Sequence, residues 1–231
     1  MSEVERRFRA ELPKILRASV ADLDVSLAAL DGYLAEASSP GFRKSLLAWQ
    51  GRLYLEHGRH DEAVRVLRDA DGLHFSDDLK NFNIKSDLAV ALEKSGCVRD
   101  ASAVLAAGLH EIKEPELLLR MLHALARISS SLSEGLPVGA DVALAHAKRF
   151  YGIDDAPVAE APIAEAVRVA ELVHDASVRL DQLHFVVEEA KSASDKASLI
   201  EHYVVSIAVP HFKQLARELL RRAEKTAGSC S

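Results

Sequence analysis

WQGRLYLEHGRHDEA, residues 49–63, can be read in two ways. Trp49, Gly51, Tyr54 and Gly58 can be the contact positions of a helical hairpin, or His57 and His60 can begin a metal site. Zinc needs three or four converging ligands, brought together on a continuous helix or from further elements. Gly58 breaks the helix between the two histidines, and no other His or Cys stands close by in sequence. The hairpin is the better reading, with His57 at a helix C-terminus, where the negative end of the helix dipole favours a cationic ring.

The rest of the chain agrees with a helical reading. It has 231 residues, 48% of them hydrophobic and only 5% aromatic. Small apolar residues at that density suit closely packed helices better than sheet. The charge of −6 comes without a strongly basic run, so the electrostatic footprint of a nucleic-acid or anionic-lipid partner is missing. The most apolar short run, Tyr203–Val209, is far shorter than the ~20 residues that span a bilayer. The N-terminus is charged and carries no apolar leader segment. Cys97 and Cys230 form no ligand spacing, and together these features lead us to expect a cytoplasmic protein.

Apolar spacing of period 3.6 runs through nearly every segment, which predicts an all-α chain of about eleven helices. The first is expected from about residue 3 to 18 with a kink at Pro13, and the third enters through Pro40. A fifth is expected to start at Ser76 or Asp77, with Ser76 as its N-cap. Gly, Pro and Ser mark breaks at 129–139 and 152–162. Beyond them, helices are expected at 163–174, 177–192, 195–209 and 210–225. The domain organisation expected is a repeat region at 1–131, a helix flanked by flexible connections at 132–162 and a helical region at 163–231, or one continuous domain.

Sliding the chain by 38 residues superposes Gly58 on Gly96, Ala63 on Ala101, Val66 on Val104 and Leu67 on Leu105. Tyr54 falls on Leu92, Gly51 on Ala89 and Ala70 on Gly108, whereas His57 and His60 fall on Ser95 and Val98. The hairpin positions recur and the histidines do not. Each copy is a helix, a glycine turn in the left-handed conformation, and a second helix opening on a small residue that permits close approach.

These residues resemble the tetratricopeptide repeat family, whose motif carries small, aromatic and glycine residues in this order. One copy has Gly51, Tyr54, Gly58, Ala63, Leu67 and Ala70; the other has Ala89, Leu92, Gly96, Ala101, Leu105 and Gly108. The match covers about residues 44–115. The spacing of 38 exceeds the family's usual 34, which predicts an extended connection around DADGLHFSDD. The family's helix-ending Pro is replaced near Phe75, and Leu47 stands at its Trp site, with Trp49 two positions on. A third copy from Glu116 fades after Leu122 and Ala126. Two repeats cannot bury their own faces, so the resemblance implies an α-solenoid continued by degenerate hairpins, with a C-terminal helical cap or bundle.

The resemblance also implies a function. First helices of such repeats line a concave groove that holds an extended peptide or a helix. The corresponding positions here are Ser45, Ala48, Trp49, Arg52 and Glu56, then Asn83, Ser86, Asp87, Val90 and Glu93. Chaperone-binding members grip a C-terminal carboxylate with Lys and Asn. Here only Arg52 and Asn83 suit an anion, and Glu56, Asp87 and Glu93 oppose it. Trp49 beside Arg52 supplies the residue types that dominate binding hot spots. The expectation is a non-catalytic module that needs no cofactor and binds a protein or peptide: an adaptor, chaperone, regulator or immunity protein. Nucleic acid and membrane are not expected partners, and a homo-oligomer is compatible with the sequence. Ala, Arg and Leu usage points to a GC-rich bacterial source.

The competing reading is a metal-dependent helical-bundle enzyme. Glu171-x-x-His174 and Asp181-x-x-His184, with Glu188, repeat the carboxylate-x-x-His spacing of di-iron bundles. That chemistry needs the two motifs on different helices. The doublets Asp77-Asp78, Asp154-Asp155 and Glu188-Glu189 splay about 100° apart on a helix and read as caps or solvated faces. No nucleophile elbow or phosphate-cradling glycine loop is present.

Overall fold

A computed structural model describes residues 2–73, 76–153, 161–190 and 192–228; Cys230 and the Asp154-Asp155 doublet lie outside the described residues. Among the described residues there are eleven α-helices and no strand. They are α1 (Glu3–Ser19), α2 (Leu23–Glu36), α3 (Pro40–Glu56), α4 (His60–Asp71), α5 (Asp78–Lys94) and α6 (Val98–Glu111). The chain continues with α7 (Pro115–Leu132), α8 (Ala140–Tyr151), α9 (Pro162–Glu189), α10 (Ala193–Ser206) and α11 (Pro210–Gly228). None is long and apolar enough to cross a membrane. Contacts divide the chain into two units, Met1–Leu117 with Arg127–Glu134, and Leu118–Ala126 with Gly135–Ser231.

In the first unit α1 to α6 each pack against the next helix in the chain, and α3 also lies against α5. Local chemistry sets the helix limits. Ser39 caps α3 by accepting from the Phe42 amide, and Pro40 fills the first turn, where a missing N–H costs nothing. The α5 cap is Asp77, which accepts from the Lys80 amide at 3.0 Å, so Ser76 does not cap it. A carboxylate at that position also meets the positive end of the helix dipole. Helix α1 runs through Pro13 without a break. Gly58 (φ +72°) and Gly96 (φ +79°) take the left-handed conformation that ends α3 and α5. In both turns the next amide reaches back to close the helix, Arg59 to the Tyr54 carbonyl and Cys97 to that of Leu92.

The small residues do the steric work that their spacing predicts. Ala63, Leu67, Ala70, Ala101 and Leu105 are buried to 1% exposure or less. A Cβ added at Gly51 would run into the Leu67 side chain of α4. Around α1, α2 and α3 a core forms from Leu30, Leu46, Leu53 and an edge-to-face triplet of Phe8 with Tyr33 and Phe42. Two buried lysines hold the region where α4 ends. Lys44 of α3 donates to the Leu73 carbonyl at 2.8 Å, and Lys85 of α5 bridges Asp71 at 2.9 Å and Glu111 at 3.3 Å. Burial lowers the Lys44 amine below its ordinary value, opposed by the nearby Asp71 carboxylate.

In the second unit α8 and α10 each pack on both α9 and α11, and α9 touches α11, so the four helices close on one another as a bundle. Helix α9 corrects a sequence expectation, because the helices expected at 163–174 and 177–192 are one helix of 28 residues. The expected break at residues 175–177 is absent because Val173, Ala176 and Leu180 continue a single buried stripe. Inside the bundle Glu165 is 3% exposed and pairs with Lys148 at 2.9 Å and Arg168 at 2.8 Å. Tyr203 donates its phenol to the Ala176 carbonyl at 2.9 Å, and burial pushes its pKa up to about 12.

Candidate functional site

Helices α1, α3 and α5 turn one face each towards a shared groove. On α3 the face is Ser45, Ala48, Trp49, Arg52 and Glu56, which recur at the three- and four-residue steps of a helix stripe. Between α3 and α5 lies a trough of about 170 Å³ lined by Ser45, Ala48, Trp49, Arg52, Lys80, Asn83, Ile84 and Asp87. A second hollow, of about 460 Å³, runs from Phe8, Arg9 and Leu12 of α1 across to Phe42 and Trp49. A third, of about 560 Å³, is lined by Leu16, Val20, Trp49, Arg52, Glu56 and His57. Trp49 borders all three. It is half-buried, with part of its surface against the core of α1, α2 and α3 and part facing the groove.

The polar groups of the groove differ in how they are held. Arg52 pairs with Glu56 one turn on at 3.3 Å, with both side chains more than half exposed, so the pair adds little stability. Lys80 lies 3.8 Å from Asp77. Glu93 is gripped by both terminal nitrogens of Arg127, at 2.9 and 2.6 Å, and this hydrogen bonding raises the Arg127 guanidinium above its ordinary value. Asp87 is half-buried and has neither a hydrogen bond nor an ion pair among the described residues. Burial pushes its carboxyl above the usual range, with Arg52 opposing the shift and Glu56 adding to it.

Ser45, Trp49, Arg52, Asn83 and Asp87, placed in a groove by the repeat register, therefore share one trough, and Glu56 lines the neighbouring hollow. Ser86 and Val90 are not among the trough-lining residues, and Glu93 is tied to α7 by Arg127. Sequence reasoning missed Ile84, Lys80 and the whole α1 wall. A signal was available for α1: Phe8, Leu12 and Leu16 recur every four residues, with Leu12 and Leu16 half-buried beside the core residues Phe8 and Ile15.

No protein-family model, curated protein sequence or solved structure matches this chain. The likeness to tetratricopeptide repeats rests on the sequence of residues 44–115 alone.

The metal candidates are placed differently. Glu171, His174, Asp181, His184 and Glu188 are all exposed, and all lie on the single helix α9. His174 and His184 are ten residues apart, about 15 Å at 1.5 Å per residue, and α9 cannot fold back to bring them together. Asp175, between them, pairs with Arg179 at 3.1 Å. Among the described residues no three His, Cys, Asp or Glu side chains cluster closely enough to hold a metal ion. Both ring nitrogens of His57 are engaged, Nδ1 with the Leu53 carbonyl and Nε2 with that of Ser19, each at 2.8 Å. The ring therefore clasps the α3–α4 turn to the end of α1. Of the acidic doublets, Asp77 caps α5, Asp78 accepts from the Lys113 and Glu114 amides at 2.8 and 3.0 Å, and Glu188-Glu189 is exposed.

Proposed function

We propose that the chain is a non-catalytic interaction module that docks a segment of a partner protein in the groove of α1, α3 and α5. The observation that carries this reading is Trp49. A large aromatic surface is presented to three connected hollows and anchored from behind by the core, which is how a rigid hot-spot residue is built. The surrounding Ala48, Ile84, Leu12 and Leu16 give an apolar floor, and Arg52, Glu56, Asn83 and Asp87 give a polar rim. Adaptor, chaperone, regulator and immunity protein all use such a surface. The cytoplasm is the proposed setting, since the cysteine spacing suggests neither a disulfide nor a metal framework.

Two substitutions test the groove in opposite senses, Trp49→Ala by emptying it and Asn83→Phe by filling it from an exposed position. Used as baits beside the native chain, both should lose the same captured proteins while keeping the helical circular dichroism spectrum. Capture of one unchanged set by all three baits would place binding elsewhere. Trp49→Ala should also cost stability, about half of the ~3–5 kcal/mol of a fully buried Trp, because only one side of the ring is in the core.

A further inference from the structure

Asp87 has no structural employment. It sits half-buried in the α3–α5 trough, it caps no helix, and Arg52, which lines the same trough, acts on it through its charge alone, without a hydrogen bond or ion pair. Arg52 turns its Nε to Glu56, and Lys80 lies beside Asp77. A desolvated carboxylate that no cation bonds directly is costly to keep, and a cation that pairs with it recovers that cost. The apolar part of the trough lining is Ile84, 1% exposed, with Ala48 and Trp49. An aliphatic stem ending in a cationic head matches that sequence of surfaces, and lysine and arginine are the side chains with this form.

Building on the groove reading above, we propose that the partner segment inserts an arginine or lysine side chain into the α3–α5 trough. Its stem would lie between Trp49 and Ile84 and its charge on Asp87, with apolar neighbours in the segment covering the α1 side of the groove. The Trp49 ring adds a face over which a cation is favourably placed. A segment ending its chain there is disfavoured, because its terminal carboxylate would meet Asp87 and Glu56.

The test is selection of a randomised peptide library displayed on phage against the full native chain, with the selected peptides remeasured on Asp87→Asn, Trp49→Ala and Asn83→Phe. The expected peptides carry one recurrent Arg or Lys flanked by apolar residues. They should lose about ten-fold or more in affinity on Asp87→Asn, an isosteric change that removes only the charge. Replacing the recurrent basic residue by norleucine should cost as much on the native chain and little on Asp87→Asn. Peptides that require Trp49 and Asn83 but show no recurrent basic residue, or bind Asp87→Asn unchanged, would overturn this inference and leave the groove reading standing. A selection giving only peptides indifferent to all three substitutions, or no peptide at all, would overturn both.

Discussion

Asp87 marks a conflict between stability and binding at a single carboxylate. Burial raises its pKa above the ordinary 3.8, so the charged form is disfavoured in the folded chain relative to the unfolded one. The sign follows from linkage. At pH 7 the folded state carries the full penalty, and the penalty disappears as pH falls below the unfolded value, where both states hold the proton. Asp87→Asn should therefore raise the urea midpoint at neutral pH and lose that advantage below about pH 3.8. A lower midpoint at pH 7 would show that Asp87 is stabilised by its surroundings. Most of the trough was legible in the sequence, because Gly51, Gly58 and Ala63 fix a register that puts Ser45, Trp49, Arg52, Asn83 and Asp87 on one side. What was not legible is the state of each group. Glu93 matches Asp87 in residue class and both fall among the groove positions of the repeat, yet Arg127 grips one and no hydrogen bond or ion pair holds the other. Such pairing across 34 residues of sequence leaves no local pattern.

Among the elements, the α3–α4 hairpin shows how close approach is encoded. Leu67 occupies the space that a side chain at Gly51 would need, and Leu67 is fully buried. Gly51→Val should destabilise the chain by about 2 kcal/mol or more, since overpacking and a β-branched residue in a helix act in the same direction. Leu67→Ala alone opens a cavity at a cost of about 2–5 kcal/mol. The double variant should fall well short of the sum, as measured by chemical unfolding; simple additivity would show that the two positions do not meet. The same helix-ending turn also forms without glycine. Helix α7 ends at Ser133 in the left-handed conformation (φ 55°), and the Glu134 amide bonds the Ser129 carbonyl, repeating the closure seen after Gly58 and Gly96. A serine there hides a third turn from any search for glycine. In α9 the error ran the other way. Asp175-Ala176-Ser177 reads as a joint by composition, but Asp175 is exposed on the outer face and Ala176 is in the buried stripe, so the helix continues.

Across the whole molecule two styles of packing share one chain. The first unit is built from neighbour-to-neighbour contacts, so its stability is close to a sum of local interfaces, whereas α8–α11 close on one another and should open together. Lys85 is the place to separate these behaviours. Its ammonium, 3% exposed, joins the end of α4 to the end of α6 through Asp71 and Glu111. Removing it leaves Asp71 partly buried beside an empty site, and Lys85→Ala should cost about 3 kcal/mol. Lys85→Met should cost less, because the stem packing is kept and both carboxylates reach solvent, at 26% and 49% exposure. Native-state hydrogen exchange then reads where the loss falls. Amides of α4, α5 and α6 should exchange faster in Lys85→Ala, while those of α8–α11 and of residues 118–126 in α7, which belong to the second unit, should keep their protection. Faster exchange spread evenly through α8–α11 would mean that the chain opens as one cooperative body, because a loss confined to the Asp71–Lys85–Glu111 bridge reaches those helices only by global unfolding.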